Sequence, residues 1–169
     1  MKYLSSKSLW NGLLCLQRWI MIVTSIFMVV IVFASVVIRY IFKSDLYGIE
    51  EIVTMVAFWL YFIGSSYGSY EKTQISADLI TNCLKKEKHK QLLNIIKLII
   101  SLVILTIVLF WAFQFILFSI KMDPRSAIYR FPMIVPQSSI LIGFILMTFY
   151  TIVYLYEDIK EYKSKFKTN

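Results

Sequence analysis

Few side chains in this sequence could carry out chemistry, and their spacing does not bring them together. The two cysteines, Cys15 and Cys83, lie far apart and form no C-x-x-C pair of the kind that thiol redox chemistry uses. The single histidine, His89, lies in a lysine-rich segment and is expected to be solvated. Metal sites need clustered ligands, and the one acidic pair, Glu50 and Glu51, is adjacent, so the two would not face each other on a helix. We therefore predict that the chain is not an enzyme and that it holds no metal or other cofactor.

Long segments without Asp, Glu, Lys or Arg make up most of the chain, at residues 19–38, 52–70, 98–120 and 131–156. A helix needs about 20 apolar residues to cross a hydrocarbon layer of about 30 Å, so each segment is long enough. The composition agrees, since 59% of the residues are hydrophobic. We predict an all-α membrane protein, a single domain over residues 1–169 with spans at about 19–38, 50–70, 96–120 and 134–156. These spans lack the ionisable groups that usually mark ion paths, proton relays and substrate sites.

Two amphipathic segments are predicted beside the spans. Apolar residues recur at helical spacing before the first span, at Leu9, Leu13, Leu16 and Ile20. This pattern predicts an amphipathic N-terminal lead-in helix at the membrane surface or running into the first span, and a simple extension of the first helix explains it equally well.

The middle loop carries the second amphipathic segment. Its apolar stripe consists of Ile75, Leu79, Ile80, Cys83 and Leu84, and its inner-leaflet basic patch consists of Lys85, Lys86, Lys88 and Lys90. An interfacial helix with its lysines near anionic membrane lipid is predicted here.

The basic residues are distributed unevenly along the chain. Twelve of the 18 lie in the N-terminal segment, the middle loop and the C-terminal tail, and five lie in the first and third loops. By the positive-inside rule, both termini and the middle loop are predicted to be cytoplasmic, in a bacterial inner membrane. The same distribution accounts for the net charge of +8, so we expect no nucleic-acid partner.

Two sets of polar and small residues are candidates for helix packing. The pair Gly64 and Gly68 forms a G-x-x-x-G motif, with Thr54 and Tyr61 on roughly the same helix face. Such a motif lets another helix approach closely, either within this chain or in another subunit. In the third span, Gln114 is the most polar interior residue and is expected to form an interhelical hydrogen bond.

Charged residues meet at the outer boundary of the first two spans. Arg39 ends the first span, and Glu50 and Glu51 begin the second, across a short loop. One hypothesis is that Arg39 pairs with Glu50 or Glu51 and fixes the hairpin. The alternative is that the carboxylates only start the helix, where they favour the positive end of its dipole, and that Arg39 only anchors the interface.

Residues 39–78, RYIFKSDLYGIEEIVTMVAFWLYFIGSSYGSYEKTQISAD, resemble the small membrane subunit of tripartite ATP-independent periplasmic (TRAP) transporters, the DctQ-like family. The resemblance rests on the residues closing the first span, the Glu50–Glu51 pair, and Trp59, Phe62 and Gly64 in the second. The sequence departs from the family pattern at Gly48, where the family often has an aromatic residue, and at Thr54 and Gln74, where it often has Arg and His.

The resemblance implies a role and a set of partners. Such transporters import organic acids, of the C4-dicarboxylate or sialic acid type, with a sodium gradient. A periplasmic substrate-binding protein delivers the substrate, and a large multispan permease subunit holds the substrate and sodium sites. The small subunit packs beside the large one as a scaffold. Two alternatives are an assembly or regulatory subunit of a different membrane complex, and a self-sufficient membrane enzyme or transporter.

Overall fold

The computed structural model describes residues 7–41, 43, 48–71 and 87–166. In these residues the chain forms four helices, α1 (Lys7–Ile41), α2 (Ile49–Glu71), α3 (Glu87–Met122) and α4 (Ile134–Phe166). Each is long and apolar enough to cross a membrane, which confirms the predicted all-α four-span fold. A helix suits these sequences because hydrocarbon supplies no hydrogen-bond partners, so the backbone must satisfy its own N–H and C=O groups.

The helices continue beyond the predicted spans. The first helix, α1, is continuous from Lys7 to Ile41, so the N-terminal lead-in is the first part of the first helix and not a separate surface helix. The predicted interfacial helix of the middle loop falls in residues 72–86, which lie outside the described residues, and it stays a prediction.

Hydroxyl side chains within the spans are satisfied locally. The Oγ1 atom of Thr24 donates to the carbonyl oxygen of Ile20 at 2.7 Å. Thr106 and Thr148 donate in the same way to carbonyls four residues earlier, each at 2.8 Å. A hydroxyl bonded to its own helix does not need water or a second helix, so these polar residues are compatible with a lipid-facing span.

The helices form a row in the order α1, α2, α4, α3, because α2 packs against α1 and α4, and α4 packs against α3. The starts of α1 and α3 and the ends of α2 and α4 lie at one end of the row, which we call the termini end. The opposite end, where the helix pairs α1–α2 and α3–α4 are joined, is the hairpin end. The two edge helices, α1 and α3, leave most of their large apolar side chains exposed.

The central contact, between α2 and α4, depends on Gly143. A Cβ atom at this position would lie 2.9 Å from the Cβ of Phe62 and 3.0 Å from the Phe62 carbonyl oxygen. Both distances are shorter than van der Waals contact, so the backbone of α2 occupies the space that any other side chain would need. The buried Ser139 lies one turn before Gly143, and together they form a small-x-x-x-small pair of the kind that lets membrane helices approach closely.

The sequence predicts that Gly64 and Gly68 lie at a close helix contact, within this chain or with another subunit. A Cβ at Gly64 would lie 3.8 Å from the Sδ of Met21 in α1, which is an ordinary contact distance. Gly64 therefore faces α1 without a crossing as tight as that at Gly143, and a close contact with another subunit stays a prediction. Gly68 is half-buried in the last turns of α2.

A buried hydrogen-bonded group, the polar node, joins α1, α2 and α4 near the termini end. The Nε2 of Gln17 donates to the Oγ of Ser66 at 3.1 Å, and the hydroxyl of Tyr150 donates to the Oε1 of Gln17 at 3.0 Å. Gln17 is 2% exposed, and Ser66 and Tyr150 are fully buried. The indole of Trp10 packs edge-on against the Tyr150 ring, with centroids 5.5 Å apart. One glutamine thus uses both ends of its amide to hold three helices in register.

Replacing Gly143 with Ala should weaken the contact between α2 and α4. The added methyl would overlap the Phe62 backbone, and overpacking of this kind costs about 1–3 kcal/mol. We expect a lower Tm for the full chain in mild detergent. Gly64→Ala is the matched control and should melt like the wild type, because its methyl would stay 3.8 Å from Met21. Equal Tm values for the two variants would contradict a tight crossing at Gly143.

Replacing Tyr150 with Phe should destabilise the polar node. The change leaves the Oε1 of Gln17 buried without its donor, and an interhelical hydrogen bond in a membrane protein contributes about 0.6 kcal/mol and up to about 1.7 kcal/mol. We expect a corresponding drop in stability on unfolding in mixed micelles. Tyr156→Phe, at a position that is 69% exposed, is the control and should show no drop. An equal loss of stability in both variants would contradict the role of the Tyr150 hydroxyl in the polar node.

Candidate subunit interface and hairpin-end site

One face of α2 is not covered by any other helix that the structure describes. This open face of α2 consists of Thr54, Ala57 and Tyr61, at i, i+3 and i+7. Tyr61 is 67% exposed although it lies at the middle of α2. The Thr54 hydroxyl donates to the carbonyl of Glu50 at 2.7 Å and is satisfied. No described helix covers this face, so the packing role of Thr54 and Tyr61, including a contact with another subunit, stays a prediction.

Gln114 also points away from the helices of its own chain. On α3, the buried residues Ala112 and Ser119 mark the side that faces α4, whereas Gln114 is exposed. Among the described residues Gln114 forms no interhelical hydrogen bond, and one with another subunit stays a prediction. One polar contact that does join α3 to α4 is a hydrogen bond from the Ser119 hydroxyl to the Gln137 amide oxygen, which the sequence did not predict.

Glu51 connects the start of α2 to the loop between α3 and α4. Its two carboxylate oxygens accept hydrogen bonds from the backbone N–H groups of Ile128 and Tyr129, at 2.8 Å and 3.1 Å. The loop is closed on itself by two backbone bonds of 2.9 Å, from Ser126 to Phe131 and from Met133 to Pro124. Glu51 thus holds the tip of a folded loop against α2.

Gly48 completes this contact. Its φ is +90°, and a Cβ there would lie 2.6 Å from the ring of Tyr129. The absence of a side chain lets the Tyr129 ring lie against the backbone just before α2.

These contacts bear on the hypothesis that Arg39 pairs with Glu50 or Glu51. Both carboxylate oxygens of Glu51 accept backbone hydrogen bonds from the third loop. Arg39 lies in the last turn of α1 and is exposed, as is Glu50. The two adjacent carboxylates therefore differ: Glu51 turns towards the loop, and Glu50 turns outwards. Pairing of Arg39 with Glu50 stays a prediction.

The predicted basic patch is only partly within the described residues. Lys85 and Lys86 lie outside them. Lys88 and Lys90 lie in the first turn of α3, so this part of the patch belongs to the third helix. The start of α3 runs beside the end of α4, where the Nε2 of Gln91 donates to Glu161 at 3.4 Å. Contact of the lysines with lipid stays a prediction.

The residues that the sequence analysis missed share one property, which is a polar group directed at another helix. Gln17 is the clearest case, and the exposed Arg18 beside it donates to the hydroxyl of Tyr67 at 2.8 Å. Among the described residues no three or more His, Cys, Asp or Glu side chains lie close enough to hold a metal ion. The sequence did contain a signal for this interhelical contact at Gln17. Its amide lies at helical spacing within an apolar stripe, and burying an amide is costly unless it is hydrogen-bonded.

Comparison with known families adds a separate observation. Residues 28–161, which include the last 14 residues of α1, all of α2 and α3 and most of α4, match the family described as tripartite ATP-independent periplasmic transporters, DctQ component. No curated protein matches the sequence.

Replacing Glu51 with Gln should loosen the third loop. The amide keeps one acceptor oxygen but places an NH₂ group where the other oxygen accepts a backbone N–H. We expect faster hydrogen exchange at the amides of Ile128 and Tyr129, measured by mass spectrometry on the purified chain. Glu50→Gln is the matched control, because its exposed side chain accepts no hydrogen bond from the described loop residues, and it should leave exchange unchanged. Unchanged protection in Glu51→Gln would show that the loop does not depend on the carboxylate.

Proposed function

The chain belongs to the DctQ family of TRAP transporter components, and we propose that it is the small accessory subunit that packs against the large permease subunit and stabilises it. In this proposal the complete transporter is driven by sodium and imports an organic acid. The large subunit holds the sodium and substrate sites, and a periplasmic binding protein delivers the substrate. The small subunit contributes membrane-embedded surface.

The observation that carries the proposal is the open face of α2. Tyr61 lies halfway along a membrane-spanning helix and exposes 67% of its surface, so in an isolated chain its hydroxyl would lie in hydrocarbon. Polar groups in lipid are costly without a partner. A second subunit packed on this face would bury the ring and supply a partner for the hydroxyl, and the small Ala57 beside it would allow a helix to approach.

The polar groups inside the chain support the same role. The buried amide of Gln17 and the hydroxyls of Ser66 and Tyr150 bond to one another, and their bonds join helices. They hold the scaffold together and do not line a path across the membrane. This favours support of a neighbouring subunit over transport by this chain alone.

The distribution of basic residues supports an orientation. The excess of lysines and arginines flanks the termini end of the row, which favours cytoplasmic termini in the inner membrane. The hairpin end, with Glu50 and the folded third loop, would then face the periplasm, on the side from which a binding protein delivers substrate.

Reconstitution tests the proposed function. Liposomes that contain both membrane subunits and receive the binding protein should take up substrate when a sodium gradient is imposed. Omitting this chain should abolish uptake, and liposomes that hold only this chain should show none. Tyr61→Ala should lower the amount of large subunit that co-purifies in mild detergent, whereas Tyr156→Ala, equally exposed but on α4, should not.

Sodium-driven uptake by this chain alone would overturn the accessory role. Co-purification with an unrelated complex, and no association with a permease of this transporter class, would favour an assembly or regulatory subunit of a different membrane complex. Unchanged co-purification in Tyr61→Ala would be compatible with the accessory role and would show that the interface does not depend on Tyr61 of α2.

A further inference from the structure

A cleft opens at the hairpin end between α2, α3, α4 and the third loop. Its volume is about 420 Å³, within the range of about 300–1,000 Å³ that is usual for ligand sites. Polar and charged groups lie at its mouth, including Glu50 and Arg125, and its floor is apolar, with Phe58, Phe115 and Ile140. The cleft is therefore amphipathic along the direction of the membrane normal.

The floor reaches well below the mouth. Phe58 follows Glu50 by eight residues on the same helix, which corresponds to about 12 Å at 1.5 Å per residue. Because Glu50 begins a membrane-spanning helix, the mouth lies at the depth of the lipid headgroups and the floor at the depth of the acyl chains. A cavity at this depth that is open to the side is in contact with lipid.

The polar groups along the wall are already engaged within the chain. Thr54 donates to the carbonyl of Glu50 at 2.7 Å, and Gln137 is hydrogen-bonded to Ser119. The interior therefore offers little to recognise a polar metabolite, whereas it suits an apolar chain.

The charges at the mouth distinguish between headgroups. Glu50 is exposed at the rim. The Nε and Nη2 atoms of Arg125 are 3.1 Å and 2.9 Å from the Oδ2 of Asp123, which leaves the Nη1 nitrogen for a further acceptor. A rim with an exposed carboxylate and an available guanidinium nitrogen matches an ammonium group beside Glu50 and a phosphate beside Arg125.

We propose that the hairpin-end cleft is a binding site for a phospholipid with an ammonium headgroup, of the phosphatidylethanolamine class. One acyl chain lies along Phe58 and Ile140, the ammonium contacts Glu50, and the phosphate contacts Arg125. The lipid fills the space between α2 and the α3–α4 pair at the end of the row opposite the polar node. This proposal does not rest on the transport function, because the cleft is formed by this chain alone.

Native mass spectrometry of the purified full chain tests the site. After delipidation, phosphatidylethanolamine or phosphatidylglycerol is added back at equal concentration. We expect the wild type to retain phosphatidylethanolamine about fivefold better, the upper range for one exposed charge pair. Glu50→Gln should remove this preference, and the same change at the other end of α2, Glu71→Gln, should leave it intact.

A second variant tests the acyl-chain part of the cleft. Ile140→Trp should fill the floor and reduce retention of both lipids, with hydrogen-exchange protection of the third loop as a check that the chain is folded. Equal retention of the two lipids by the wild type, or an unchanged preference in Glu50→Gln, would overturn the headgroup assignment even if Ile140→Trp does not fold. Undiminished lipid retention by folded Ile140→Trp would overturn the cleft as the site.

Discussion

The close approach of α2 and α4 at Gly143 is the constraint on which the rest of the bundle depends. In hydrocarbon there is no hydrophobic driving force between helices, so association relies on close packing and on a few polar bonds. The missing side chain at Gly143 lets the backbone of Phe62 come within contact distance. The other two helices are then added at the sides of this pair, α1 on α2 and α3 on α4.

Polar contacts fix the register of the added helices. At the termini end, Gln17 ties α1 to Ser66 and Tyr150, and on the other side of the central pair Ser119 ties α3 to Gln137. Each such bond is worth only a fraction of a kcal/mol to about 2 kcal/mol. The row is therefore held by few interactions and leaves much apolar surface exposed, as expected of helices that lie in hydrocarbon.

The architecture was predictable from the sequence because it depends on composition over long segments. Charge-free stretches define spans whatever their packing, so the four membrane-spanning helices were predicted correctly. The packing depends on single atoms and was predicted less well. Gly64 belongs to a conspicuous G-x-x-x-G motif, yet the tight crossing uses Gly143 with Ser139, a less conspicuous pair of the same physical kind. No local pattern says which small residue faces which helix, since that depends on the rotation of both helices about their axes.

The two adjacent carboxylates at the start of α2 also could not be distinguished from the sequence, although the structure gives them different surroundings. Both favour the positive end of the helix dipole, so the sequence gives them equal roles. Successive helical residues point about 100° apart, however, and this turns Glu51 towards the third loop and Glu50 to the outer surface. Glu51 binds the backbone of Ile128 and Tyr129, so its charge is used to shape the loop that roofs the cleft. Glu50, one residue earlier, keeps its charge at the mouth of that cleft. A rotation of about 100° between adjacent residues thus separates a structural carboxylate from one that is available to a ligand or a partner. The loop that Glu51 holds lines the cleft at whose mouth Glu50 lies.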